Sequence, residues 1–235
     1  MSREAEPIQR GAEQDQPKPK PSRPILRRMR WVGAMVVLPV ASLAGSVVAS
    51  LLSGRRIGSF LSDPRVVDDP HALTGVLSNL GICLWASAAY ASLLAGWVLR
   101  RSEAHRETSL FLLAFGTLSL VLMVDDLMLV HEGIVRDWLG LPELLPITLY
   151  MLATFACLVR FASRIRREGS LLMVIALTCF AGSVGTDVAP GPLTGLLGEW
   201  RILVEDGLKL FGITAWAGFF ARASMRALGA AMADA

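Results

Sequence analysis

The sequence predicts an all-α polytopic membrane protein, a bundle of six transmembrane helices with both termini cytoplasmic, and three observations carry that prediction. Hydrophobic residues make up 53% of the 235-residue chain and the mean hydropathy is +0.51, above the roughly 45 to 50% apolar share of soluble domains. The apolar residues gather in six long runs, each close to the roughly 20 residues that cross a hydrocarbon core of about 30 Å at 1.5 Å per residue. Lys and Arg crowd into alternate connections between those runs.

Taken in order, residues 1–24 are rich in Pro, Gln, Glu and Lys. They bury too little apolar surface to offset the entropy of ordering and read as a disordered tail. The basic stretch Leu26 to Trp31 and the run behind it look like an export signal, but so long a tail does not suit one, and Trp31 to Ser53 reads as a retained first span. Pro39 predicts a kink there, and two small faces, Ala41/Gly45/Ala49 and Ser42/Ser46/Ser50, suit close helix packing. The further spans are Leu73 to Leu99, Thr108 to Val130, Leu145 to Ser163, Ser170 to Val188 and Ile202 to Ala221. Turn signals separate several of them: Ser62-Asp63-Pro64, Asp69-Pro70, Gly140 to Pro146, and Ala189-Pro190-Gly191-Pro192. The transmembrane domain thus covers residues 25–226, and 227–235 form a short C-terminal tail.

Orientation follows from the basic residues. Arg27, Arg28 and Arg30, then Arg100, Arg101 and Arg106, then Arg164, Arg166 and Arg167, then Arg222 and Arg226 mark the cytoplasmic side, whereas the alternate loops hold only Arg55, Arg56, Arg65, Arg136 and Arg201. With no organelle-targeting pattern, the expected location is a bacterial cytoplasmic membrane. Basic residues that border spans, without interleaved aromatics, argue against nucleic acid as a partner and leave membrane lipids. Cys83, Cys157 and Cys179 lie inside apolar runs with no CxxC pair, so neither a disulfide framework nor a zinc ribbon is indicated. No Gly-x-Ser-x-Gly elbow, P-loop or dinucleotide fingerprint is present.

Against this apolar background the charges inside the spans stand out, because a charge at mid-bilayer costs about 3 kcal/mol on insertion scales and marks a functional site by default. Asp125 and Asp126 lie in span three with His131 and Glu132 at its end, and span six carries Glu205, Asp206 and Lys209. Span three runs outward and span six inward. At 1.5 Å per residue the two Asp lie roughly 6 to 8 Å, and Glu205 and Lys209 roughly 5 to 11 Å, below the external end. Asp187, His71 and Asn79 fall at the same level. Asp125 and Glu132, seven apart, share a helical face, while Lys209 stands four from Glu205 and three from Asp206, with Gly212 and Trp216 continuing its stripe. Asp125 and Asp126 point about 100° apart, so one of them should serve a neighbouring helix or the outer water layer.

Four carboxylates against Lys209 leave an excess that a low dielectric does not tolerate. Protons, a bound cation, or Arg201 and Arg136 folding in from the loops are the three ways to balance it. A divalent metal such as zinc, manganese or iron would draw on His131, Glu132, Asp125, Glu205 and Asp206, with His71 in reserve. Asp125, Asp126, Glu205 and Lys209 would then be catalytic, with a metal-bound water attacking a lipid headgroup and Lys209 steadying the developing anion. The alternatives are an ion network that fixes helix packing in a structural or assembly protein, and a proton- or cation-coupled transporter. Gly182 and Gly185 are the candidates for the helix break a transporter needs.

Overall fold

Every regular element among the described residues is a helix, in keeping with the sequence. The computed structural model describes residues 24–64, 67, 70–142, 144–188, 198 and 200–234, with the backbone alone at 24–32, 34, 131–133, 187 and 188. The tail expected before residue 24 lies outside the described residues. The helices are α1 (Pro24–Ser53), α2 (Gly58–Leu61), α3 (Val76–Leu99), α4 (Arg106–Met128), α5 (Leu144–Arg160), α6 (Ala162–Glu168), α7 (Leu171–Val188) and α8 (Trp200–Ala233). A 3₁₀ turn at Glu103–His105 leads into α4, and a π-helical stretch at Val130–Trp138 follows it.

Among the described residues, three segments are long and apolar enough to cross a membrane: Met35–Ser53, Val76–Leu99 and Glu103–Met128. A fourth is gained if α5 and α6, bent by 74° at their junction, are taken as one span. The apolar part of α7, Leu171–Thr186, is shorter, and runs without the break considered at Gly182 and Gly185. Helix α8 departs from a simple span for a physical reason. It carries Arg201, Glu205, Asp206 and Lys209 in its first three turns and Arg222 and Arg226 further on, and it continues to Ala233 through the residues expected to form a tail.

The apolar middle of α8 is instead the axis of the bundle. All residues from Gly212 to Phe220 are buried, as expected of a helix that is apolar all round and enclosed by neighbours. It packs chiefly on α7 and α3 and more lightly on α1. Glycines allow the approach: a Cβ on Gly212 would lie 2.6 Å from the Phe180 ring of α7. Helix α4 lies antiparallel along α3 through a reciprocal fit, in which Gly96 receives Leu113 and Gly116 receives Leu93, each leaving a would-be Cβ only 2.8 Å from the leucine. The α1 serine face turns inward, with Ser46 buried, whereas Ala41 and Gly45 face outward. Helix α5 rests on α4 with Leu149, Met151, Leu152, Phe155 and Val159 exposed, a surface that suits lipid.

An aromatic core joins α3, α4, α7 and α8. Trp85 stacks on Phe180 at 5.6 Å and meets Trp216 edge-on at 5.8 Å, while Phe115 packs 5.0 Å from Phe220. Such ring pairs contribute about 0.5–1.5 kcal/mol each beyond their buried area. At the basic end of the bundle, Arg222 donates to the carbonyls of Glu168 and Gly169 at 2.6 and 3.1 Å, closing the end of α6. Arg160 pairs with Glu107 across α5 and α4 at 3.1 Å.

Candidate functional site

The other end of the bundle brings together the last turns of α4 and the first turns of α3 and α8. Lys209 Nζ donates to Asp126 Oδ1 at 2.8 Å, bridging α8 and α4. Trp85 Nε1 of α3 donates to the second oxygen, Oδ2, at 3.0 Å. One carboxylate thus ties three helices, and Trp85 couples it directly to the aromatic core. A buried indole N–H needs an acceptor, and Asp126 supplies it.

Asp125 points elsewhere, as its 100° offset requires. It is buried, at 5% exposure, and its Oδ1 accepts the Tyr150 hydroxyl of α5 at 2.9 Å. Asp125 therefore fastens the peripheral helix. Glu205 accepts Arg201 NH1 at 3.0 Å, and the same nitrogen donates to the Thr186 carbonyl at 2.9 Å, closing the end of α7 onto α8. Of the two loop arginines weighed as counter-charges, Arg201 does fold in. Arg136 pairs with its exposed neighbour Asp137 at 3.1 Å.

Between Asp125 and Glu132 the helix is interrupted, since α4 ends at Met128. Leu129 has φ +49°, the only positive φ at a non-glycine among the described residues. A left-handed conformation costs a Cβ-bearing residue about 1–2 kcal/mol. Its N–H closes onto the Asp125 carbonyl, and the chain then enters the π-helical stretch. A seven-residue spacing assumes an unbroken helix, which this turn interrupts. The side chains of His131, Glu132 and Asp187 lie outside the described residues.

No three His, Cys, Asp or Glu side chains among the described residues stand close enough to hold one metal ion. The reason is visible in the pairings, since Asp125 and Glu205 are directed to Tyr150 and Arg201. His71 sits in the connection between α2 and α3, where its Nδ1 accepts the Leu73 N–H at 3.1 Å, so that Nε2 carries the hydrogen and donates to Ser59 Oγ at 3.4 Å. Asn79 is exposed on the first turn of α3.

Beside the ion pair is a cavity of about 280 Å³. Asp63, Asp126, Glu205 and Asp206 line it together with Arg201 and Lys209, over an apolar floor that includes Leu77, Leu210 and Ile213. Lys209 remains 42% exposed and Asp126 13%, so this pair borders open space. The chain belongs to a family described as a domain of unknown function (DUF8692). Its model matches residues 29–223. No curated protein and no solved structure matches the chain. Both walls of the cavity and the whole aromatic core fall inside the DUF8692 match.

Three residues of the site escape a reading based on charge alone: Trp85, Tyr150 and Ser78. The first two carry a signal, because a Trp or Tyr inside an apolar run brings an N–H or O–H that requires a partner at the same depth. Ser78, on the cavity wall, carries none.

Proposed function

We propose that the protein is a six-span protein of a bacterial cytoplasmic membrane, with both termini inside, whose cavity between α3, α4 and α8 binds a small charged ligand from the external side. The cavity beside the Lys209–Asp126 pair is the observation that carries this reading. A buried ion pair adds little net stability compared with apolar packing. An ion network serving only to fix helix register would be packed against its neighbours, whereas this one borders a space of about 280 Å³. The alternation of basic loops supports the orientation. Hydrolysis at a lipid headgroup through a metal-bound water would need ligands that the described residues do not bring together, so binding is the reading that the geometry supports best. The structural alternative keeps one specific observation in its favour: Asp125, Asp126 and Glu205 all have hydrogen-bonded partners.

Labelling separates the two. Ser78→Cys in sealed right-side-out vesicles should react with a membrane-impermeant maleimide well above the level of the parent protein, whose own Cys83, Cys157 and Cys179 set the baseline. Reaction no faster than the parent, in vesicles of either orientation, would leave a packed ion network and end the pocket reading.

A further inference from the structure

We propose that the outward face of α3, at the basic end of the bundle, holds an anionic phospholipid, with its phosphate on Arg100 and Arg101 and its apolar part along Trp97. The two guanidinium carbons lie 5.4 and 5.5 Å from the centroid of the one Trp97 ring, both within reach of a cation–π contact. Arginine at the end of a span is expected from topology alone. Topology does not require that two neighbouring arginines be drawn onto a single indole. Both residues are exposed, and no carboxylate among the described residues, Glu103 of the same connection included, pairs with either. Like charges gathered on one ring repel, and a phosphate that touches both relieves the repulsion. Stacking occupies the flat face of a guanidinium and leaves its N–H edge, the part that grips a phosphate through paired hydrogen bonds.

The surrounding surface selects a lipid as the source of that phosphate. Trp97 is 47% exposed, and Leu94 and Val98 beside it are 43% and 46% exposed; at spacings of three and four residues they share one face of α3. Tyr90, one turn before Leu94 and also exposed, carries the stripe toward the middle of the bundle, about 10 Å along the helix from Trp97. An acyl chain leaving a headgroup at Arg100 and Arg101 would run in that direction, and an indole suits the headgroup level. Free phosphate makes no use of such a stripe. The orientation proposed above puts this end at the cytoplasmic leaflet, where basic residues beside a span attract anionic lipid. The site lies at the opposite end of the bundle from the cavity and stands or falls without it.

The test uses the full chain in detergent micelles, adds phosphatidylglycerol or phosphatidylcholine with matched acyl chains, and counts bound lipid by native mass spectrometry. The parent protein should retain phosphatidylglycerol several-fold more than phosphatidylcholine. Arg100→Lys combined with Arg101→Lys keeps both charges, and with them the topology, but loses the planar fork and its stacking; phosphatidylglycerol binding should fall about tenfold. Trp97→Leu keeps both arginines and should lower binding about threefold, through loss of the surface that orders them. Arg166→Lys combined with Arg167→Lys makes the same exchange at two exposed residues of α6 at this end and should leave binding unchanged. No preference for phosphatidylglycerol in the parent, full retention of the preference in the Arg100/Arg101 or Trp97 variants, or an equal fall in the Arg166/Arg167 variant would each overturn the assignment, because diffuse positive charge would then account for the contact.

Discussion

The bond between Lys209 and Asp126 can be weighed by a double-mutant cycle, with Lys209→Met and Asp126→Asn made singly and together. At 2.8 Å, two unit charges attract by about 6 kcal/mol at an effective dielectric of 20 and about 1.5 kcal/mol in bulk water. Lys209 keeps 42% of its side-chain surface exposed, which places the pair nearer the wet limit, and desolvation of Asp126 offsets part of the remainder. We expect a coupling of about 1.5–2 kcal/mol. Lys209→Met should cost about 2–3 kcal/mol, since it leaves a largely buried carboxylate with only the Trp85 N–H as a described partner. Asp126→Asn should cost about 1–2 kcal/mol, because Glu205 and Asp206, four and three residues from Lys209, can still neutralise it. Unfolding in mixed micelles, followed through tryptophan fluorescence, supplies the four free energies. Additivity within about 0.3 kcal/mol would mean that the two groups do not interact, and the three-helix junction would be refuted with it.

The remaining predictions use the same unfolding assay. Trp85→Phe keeps the stack on Phe180 but removes the N–H donated to Asp126, and should cost about 1.5–3 kcal/mol as the loss of a hydrogen bond to a charged group; a cost below about 0.5 kcal/mol would show the indole to be mere packing. Leu129→Gly should stabilise by about 0.5–1 kcal/mol, because relief of the left-handed strain at φ +49° outweighs the entropy glycine adds to the unfolded chain. Gly212→Ala drives a methyl against the Phe180 ring and should destabilise by about 1–3 kcal/mol; an unchanged midpoint would show that α7 and α8 are not in close contact there.

The parts of the fold that could be read from the chain are those governed by composition and helical period. Long apolar runs give the helices, and the structure places α3, α4, α5 and α7 within a few residues of the expected limits, while α1 ends at Ser53 as expected but begins at Pro24, about two turns before Trp31. The end of α4 was not readable, since nothing in Met128-Leu129-Val130 announces a left-handed residue; leucine is a strong helix former, and the turn is imposed by tertiary context. The same break removed the spacing argument for Glu132. The joint between α5 and α6 was hidden for a similar reason: Phe161 has no breaker beside it and is held, 7% exposed, against Phe111 at 5.6 Å and Phe115 at 6.1 Å.

Charge placement proved informative about level along the bundle but not about partner. Counting along two antiparallel helices put Asp126 and Lys209 at one level, where they meet, yet the count treated Lys209 as a partner for carboxylates on its own helix. Which acid a lysine takes depends on azimuth, and azimuth depends on how deeply neighbouring helices sink into one another. Here that is set by apolar contacts of the core beneath the charges. Gly212 lets α8 approach Phe180, Phe180 supports the plane of Trp85, and Trp85 bonds the Asp126 oxygen that Lys209 leaves. The polar site is therefore positioned by the aromatic core. A substitution in that core, such as Phe180→Leu, should weaken the coupling between Lys209 and Asp126 although it touches neither residue. A full-strength coupling in the Phe180→Leu background would show that the ion pair organises itself and that the core is only its neighbour.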